Sequence, residues 1–124
     1  MGVRLTNREF DVMAVLWNRG SATVAEVLDE LREDIAYTTI LTILRGLEAK
    51  GHVRHELEGR AYRYFPAVEA EAAGDRPLMR LLDKVYQGSR ELLIARLVED
   101  EEVSPEQLKR IRKMLTARLK EIDE

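Results

Sequence analysis

A chain of 124 residues, 45% apolar and 35% charged, holds one domain, or one domain with an appendage. The absence of cysteine excludes disulfides, thiolate chemistry and Cys-based metal sites. No run of about 18 apolar residues is present, which excludes a spanning helix, and no secretory signal is visible, so a cytoplasmic protein is expected.

The first six residues, Met1-Gly2-Val3-Arg4-Leu5-Thr6, match the loose myristoylation pattern. Thr6 has a better local explanation as a helix cap. Thr6-Asn7-Arg8-Glu9 is a capping box, and Leu5 with Phe10 fits its hydrophobic staple. Phe10, Val12, Met13, Leu16 and Trp17 recur at helical spacing and are read as core, and Asn18-Arg19-Gly20 ends the helix. A second capping box, Thr23-Val24-Ala25-Glu26, opens a helix with Val24, Val27, Leu28 and Leu31 on its apolar side, closed by Glu33-Asp34. A third helix is predicted from near Thr38, with Ile40, Ile43, Leu44 and Leu47 facing the core and Lys50-Gly51 as its stop.

Past Gly51 the period changes from helix to strand. Val53, Leu57, Tyr62 and Tyr64 alternate with Arg54, Glu56 and Arg63 around a Glu58-Gly59-Arg60 turn, and Pro66 ends the second strand. Tyr62 and Tyr64 share one strand face and are expected to pack on the helices. Three helices and a hairpin in about 60 residues predict a winged helix-turn-helix. Residues 67–76 are small and polar and read as a linker or frayed turn.

Three further helical pieces follow. Leu78, Leu81, Leu82, Val85 and Tyr86 form one stripe, Gly88-Ser89 interrupts, and Leu92, Leu93, Ile94, Leu97 and Val98 form a second. After an acidic turn at Glu99–Glu102, Ser104-Pro105-Glu106-Gln107 opens a last helix with Leu108, Ile111, Met114, Leu115, Leu119 and Ile122 on one side. So short a region cannot bury that many apolar side chains in a core of its own. Either these helices fold back on the winged helix or they pair with a second copy, and pairing is the economical answer, through Leu82, Tyr86, Leu93, Leu97, Leu108, Ile111, Leu115 and Leu119. The fold expected is mainly α: a winged helix, three helices plus a two- or three-stranded wing, over residues 1–68, then a helical dimerisation region over residues 77–124.

The formal net charge of −3 argues weakly against DNA, so its distribution matters. Residues 1–35 hold four basic and seven acidic residues, whereas residues 36–66 hold five basic and three acidic ones. The positive excess sits on the third helix and wing, where phosphate neutralisation needs it. If the apolar stripe of the third helix faces the core, Thr38, Thr39, Thr42 and Arg45 face outward, as base or phosphate contacts or, for the threonines, as mere caps and solubilisers. Tyr37 contacts a phosphate or packs at the start of the helix. Lys50 meets a phosphate or the last carbonyls of its helix. Arg60 at the hairpin tip and Arg63 on the second strand reach backbone or minor groove, or are solvated cations.

His52 and His55 point to opposite faces of a strand and do not chelate a metal. No nucleophile elbow, phosphate loop or Ser/His/Asp set is present, so an enzyme is not expected, and no cofactor or metal is predicted.

These motifs in combination resemble the BlaI/MecI/CopY family of bacterial repressors over nearly the whole chain. The resemblance rests on Leu5-Thr6-x-x-Glu9-x-x-Val12-Met13-x-x-Leu16-Trp17, Thr23-Val24-x-Glu26-Val27, Tyr37-Thr38-Thr39-Ile40-x-Thr42-x-Leu44, Lys50-Gly51 and Gly59-Arg60-x-Tyr62-x-Tyr64-x-Pro66. In the tail it rests on Lys84-Val85-Tyr86-x-Gly88 and on Val98-Glu99 before Val103-Ser104. It implies a homodimeric DNA-binding repressor of palindromic operators controlling antibiotic- or metal-resistance genes. It also implies release by proteolysis within the dimerisation helices, with a membrane zinc-peptidase sensor as an indirect partner. Three departures stand out. Gly46 occupies a position where the family usually has Arg, Arg96-Leu97 stands where cleaved members carry Asn-Phe, and the cysteines of the copper-responsive branch are absent. The rival readings are a ligand-gated winged-helix sensor and a winged-helix protein-interaction module.

Overall fold

A computed structural model describes residues 3–31 and 34–123. The Met1-Gly2 start of the myristoylation pattern, and Glu33 of the expected close of the second helix, lie outside the described residues. The chain divides into two compact units, one up to Leu78 and one from Met79. None of the described helices is long and apolar enough to cross a membrane.

The first unit runs α1 (Asn7–Arg19), β1 (Ala22–Thr23), α2 (Val24–Leu31), α3 (Tyr37–Ala49), β2 (Val53–Glu58) and β3 (Ala61–Pro66), then into α4 (Ala70–Lys84). Both expected capping boxes are formed. Glu9 N–H donates to Thr6 Oγ1 at 3.2 Å while Thr6 N–H donates to Glu9 Oε1 at 2.9 Å. Thr23 and Glu26 repeat the exchange at 3.2 and 2.9 Å. Gly20, at φ 85°, ends α1 with its N–H on the Leu16 carbonyl.

The sheet is antiparallel in the order β1-β3-β2. It is the three-stranded alternative, because Ala22 and Thr23 pair with Tyr64 and Arg63. Two residues carry no legible period, so only the partner strand reveals β1. The core joins Val12, Met13, Val15 and Leu16 of α1 to Val27, to Ile40, Leu44 and Leu47 of α3, and to Val53 and Tyr64 of the sheet. Trp17 packs on its edge and donates from Nε1 to the Val68 carbonyl at 2.9 Å, which ties the chain after β3 to α1.

Several expectations are corrected. Phe10 is only half-buried and outside the core cluster. Of the two tyrosines, Tyr64 is buried but Tyr62 is 46% exposed, because it lies two ladder pairs nearer the hairpin tip. Residues 70–76 of the expected linker are helical, the start of α4, with Pro77 inside the helix. Ala70, Ala72 and Ala73 favour a helix while Gly74 and Pro77 disfavour one, so composition alone did not separate helix from turn.

In the second unit α4 stops at Lys84, short of Val85 and Tyr86 of its expected stripe, and Gln87 and Gly88 follow with φ of 49° and 77°. Ser89 then caps α5 (Arg90–Val98), accepting from Leu92 N–H at 3.2 Å. Ser104 and Gln107 form a reciprocal cap on α6 (Pro105–Asp123).

Candidate nucleic-acid interface

The surface that could meet DNA is built by α3 and the β2–β3 hairpin. In α3, Ile40, Leu44 and Leu47 are fully buried, and Tyr37, Thr38, Thr39, Thr42 and Arg45 are exposed, the arrangement that helical periodicity predicts. Unlike the other helices with a resolved cap, α3 starts at Ala36, and no side chain among the described residues caps it. Its first amides and the positive end of its dipole are therefore available to an anion. Thr42 Oγ1 donates to the Thr38 carbonyl at 2.9 Å, so its hydroxyl hydrogen is committed within the helix.

The far end of α3 turns into the hairpin through Gly51 at φ 80°. Gly51 N–H bonds the Glu48 carbonyl and His52 N–H the Leu47 carbonyl, both at 2.9 Å, the two bonds of a Schellman motif. Only glycine takes that φ without strain, which is why Lys50-Gly51 is a legible stop. The hairpin closes through Gly59 and Arg60, with φ 62° at Gly59 alone, as a type II′ turn requires. Arg60 is thereby carried at the tip.

Register divides the hairpin into two faces. Val53, His55 and Leu57 pair with Pro66, Tyr64 and Tyr62 on the face toward α3, while Arg54, Glu56 and Glu58 pair with Phe65, Arg63 and Ala61 on the other. On the first face, His55 lies 4.4 Å from the Tyr62 ring and 5.7 Å from the Tyr64 ring and meets Glu48 of α3 through Nδ1. Burial pushes the Tyr64 phenol above its ordinary value, and the Glu48 charge adds to this. Toward the tip, Leu57 is 71% exposed. Neither the His55–Glu48 link nor the exposure of Leu57 is legible in the sequence, since both depend on where the hairpin lies against α3.

The five cations of residues 36–66 divide into two groups. Arg45 and Arg60 make no ion pair with any described residue and remain available to phosphate or bases. Arg54 lies over the Phe65 ring at 4.3 Å and pairs with Glu56 at 2.8 Å. Lys50 Nζ pairs with Glu9 at 2.8 Å. Burial alone would push the Glu9 carboxyl up, but Lys50 and the Thr6 amide hold it below its ordinary value. Arg63 is held by Glu26 and Glu58, both at 2.9 Å. Its bond to Glu58 keeps the guanidinium above its ordinary value and the Glu58 carboxyl below its own. Of the eight positions read as DNA contacts, α3 and the hairpin tip therefore present Tyr37, Thr38, Thr39, Thr42, Arg45 and Arg60 openly, while Lys50 and Arg63 are engaged by carboxylates. Among the described residues no group of acidic or His side chains is arranged to hold a metal ion.

The family described as penicillinase repressor matches residues 5–117. The chain belongs to that family. Its members are DNA-binding transcriptional repressors rather than enzymes. The chain is 24% identical over 113 residues to the methicillin resistance regulatory protein MecI of Staphylococcus aureus strain N315, covering 90% of this chain and 92% of that one. It is 26% identical over 114 residues to the penicillinase repressor of Bacillus licheniformis, covering 90% and 89%. Among solved structures, it is similar to the DNA-binding domain of the repressor BlaI, with a TM-score of 0.51 and 32% identity over 58% of this chain and 93% of that one. The monomeric form of Bacillus licheniformis BlaI bound to the blaP half-operator gives a TM-score of 0.50 and 31% identity over 58% and 90%. Residues 5–117 thus carry a repressor with a winged-helix DNA-binding domain.

Proposed function

We propose that the chain represses transcription as a homodimer on palindromic operators in the cytoplasm. The winged helix of residues 1–68, within the first unit, binds DNA as monomeric BlaI binds the blaP half-operator. Each α3 lies in a major groove, with half-sites about 10 base pairs or a small multiple apart. Thr38, Thr39, Thr42 and Arg45 read base edges. Tyr37 and the uncapped start of α3 hold the phosphate backbone, and Arg60 does so from the wing. The helical region of residues 77–124, nearly all of it in the second unit, joins the two copies.

One observation carries the dimer: α5 and α6 bury none of their residues. Leu97, Leu108, Leu115 and Leu119 are 60%, 41%, 51% and 63% exposed, and Tyr86, Leu93 and Ile111 are half-buried. Such apolar exposure is a feature of chains that associate. Leu82 is already buried within the chain and does not belong to the open face. The resemblance to MecI and to penicillinase repressors supports resistance genes as targets. Arg96 and Leu97 sit exposed in the last turn of α5, the place at which proteolysis triggered through a membrane zinc-peptidase sensor would end repression.

Sedimentation equilibrium of the full chain, with and without Leu97→Asp and Leu115→Asp, tests the dimer. Twice the chain mass, reduced to one by the substitutions with α-helical content kept, is the expected result. A single-chain mass for the unmodified protein at high concentration contradicts it.

A further inference from the structure

Arg63 is the centre of an ionic chain on the outer face of the hairpin. Its Nη1 lies 2.9 Å from Glu26 Oε1 of α2 and donates to Ser21 Oγ at 3.3 Å. Its Nη2 and Nε donate to the two oxygens of Glu58 at 2.9 and 3.1 Å. The other Glu26 oxygen accepts from Arg19 Nη2 at 2.7 Å, and Arg19 Nη1 reaches Glu30 at 3.2 Å. The chain of charges therefore links the last turn of α1, the first turn of α2 and both strands of the hairpin.

Register explains how these groups meet. Arg63 stands opposite Thr23 in the β1–β3 ladder, and Glu26 follows Thr23 by one helical turn as its capping partner. Beyond that two-residue strand, the ladder bonds joining the hairpin to the helical part of the unit are few. The direction of the wing is thus set by side chains as well as by backbone. A single exposed ion pair contributes little, but a planar guanidinium forked between carboxylates on two elements fixes an angle. Glu26, Glu58 and Ser21 engage four of the five N–H donors of Arg63, and its side chain is 23% exposed.

We propose that Arg63 is a positioning residue: braced by Glu26 and Glu58, it sets the angle at which the wing carries Arg60 and the exposed Leu57–Tyr62 pair to DNA, and it touches no phosphate itself. This rests on Arg60 being a DNA contact of the wing. The brace explains why an acidic residue, Glu58, stands next to the tip of a DNA-binding hairpin, where its charge alone opposes binding.

The test measures binding of the full chain to a duplex enriched by this protein from a random pool, over a range of salt concentrations. Glu58→Gln and Glu26→Gln each remove a negative charge, and Gln at 26 retains the acceptor for the Thr23 cap. By charge alone both bind more tightly. The brace predicts the opposite sign, a loss of about three- to tenfold for each, and non-additivity when either is combined with Arg63→Gln. Arg63→Gln weakens binding to a similar degree with the slope of log K against log salt unchanged. Arg60→Ala reduces that slope by about 0.9. Tighter or unchanged binding by the two carboxylate variants overturns the brace, as does a slope loss of about 0.9 in Arg63→Gln. If Arg60→Ala leaves affinity and slope unaltered, the wing contact itself is wrong, a distinct failure. Glu58 is exposed at the end of β2, so its substitution keeps the test decisive even where Arg63→Gln compromises folding.

Discussion

Lys50 Nζ lies 2.8 Å from Glu9 Oε2, so the residue that ends α3 is bonded to the capping carboxylate of α1. The Glu9 side chain is 11% exposed, and Lys50 is its one cationic partner among the described residues. Substituting Lys50 by Met leaves that carboxylate supported by Thr6 alone. The expected loss is about 1–2 kcal/mol in denaturant unfolding. A double-mutant cycle with Glu9→Gln should recover part of it, and strict additivity would show that the pair contributes nothing.

The same pair makes stability sensitive to acid. Glu9 is held below its ordinary value of 4.5 in the folded chain, so its contribution is present above that pH and is lost as pH falls through the lower, folded-state value. Glu26 and Glu58 are lowered too, Glu26 chiefly by the Thr23 amide and Glu58 by Arg63, and they act in the same direction. Melting temperature should therefore decline from about pH 4.5 downward, and Glu9→Gln should flatten that decline while lowering stability at neutral pH. An identical acid profile for Glu9→Gln would remove Glu9 from the account.

Thr42 donates its hydroxyl hydrogen to Thr38, which leaves the oxygen lone pairs and the methyl group for DNA. It is thus expected to favour an amino group of adenine or cytosine as donor, or a thymine methyl, over the acceptor edge of guanine. Selection from a random pool should show Thr42→Val losing an amino-bearing base at one position per half-site, and Thr42→Ala losing a thymine preference as well. Equal weakening on every duplex would argue that Thr42 reads no base.

Gly46 stands one residue after Arg45 on α3, and an added Cβ there meets no atom within 4 Å. Gly46→Ala should therefore stabilise the first unit by about 1 kcal/mol through helix propensity. If DNA affinity falls while the melting temperature rises, DNA approaches the α3 backbone at this position. If both rise, the glycine marks no contact.

Much of the first unit was legible because its signals are local. A capping box uses residues three apart, and Thr6-Glu9 and Thr23-Glu26 both form, as does Ser104-Gln107 in the second unit. Helical spacing in α3 placed Ile40, Leu44 and Leu47 inside and the threonines outside. The partners of Lys50 and Arg63 were not legible, since Glu9 and Glu26 lie 41 and 37 positions earlier in the chain and meet them only through folding. Arg63 looked equivalent to Arg60 in sequence, yet one is forked between carboxylates and the other is held clear at the turn.

The sequence by itself determined where α1 and α3 start and stop, where α2 and α6 are capped, and where the hairpin turns, but not that α4 begins at Ala70. Those outcomes depend on spacings of a few residues and on the backbone freedom of glycines such as Gly51 and Gly59. Only the tertiary structure decided which cations remain free for DNA. An arginine 37 positions away from its carboxylate is indistinguishable from a solvated one until the sheet register brings Arg63 against Thr23, and with it Glu26. A charge is a property of the residue, but its availability belongs to the packed neighbours that hold it.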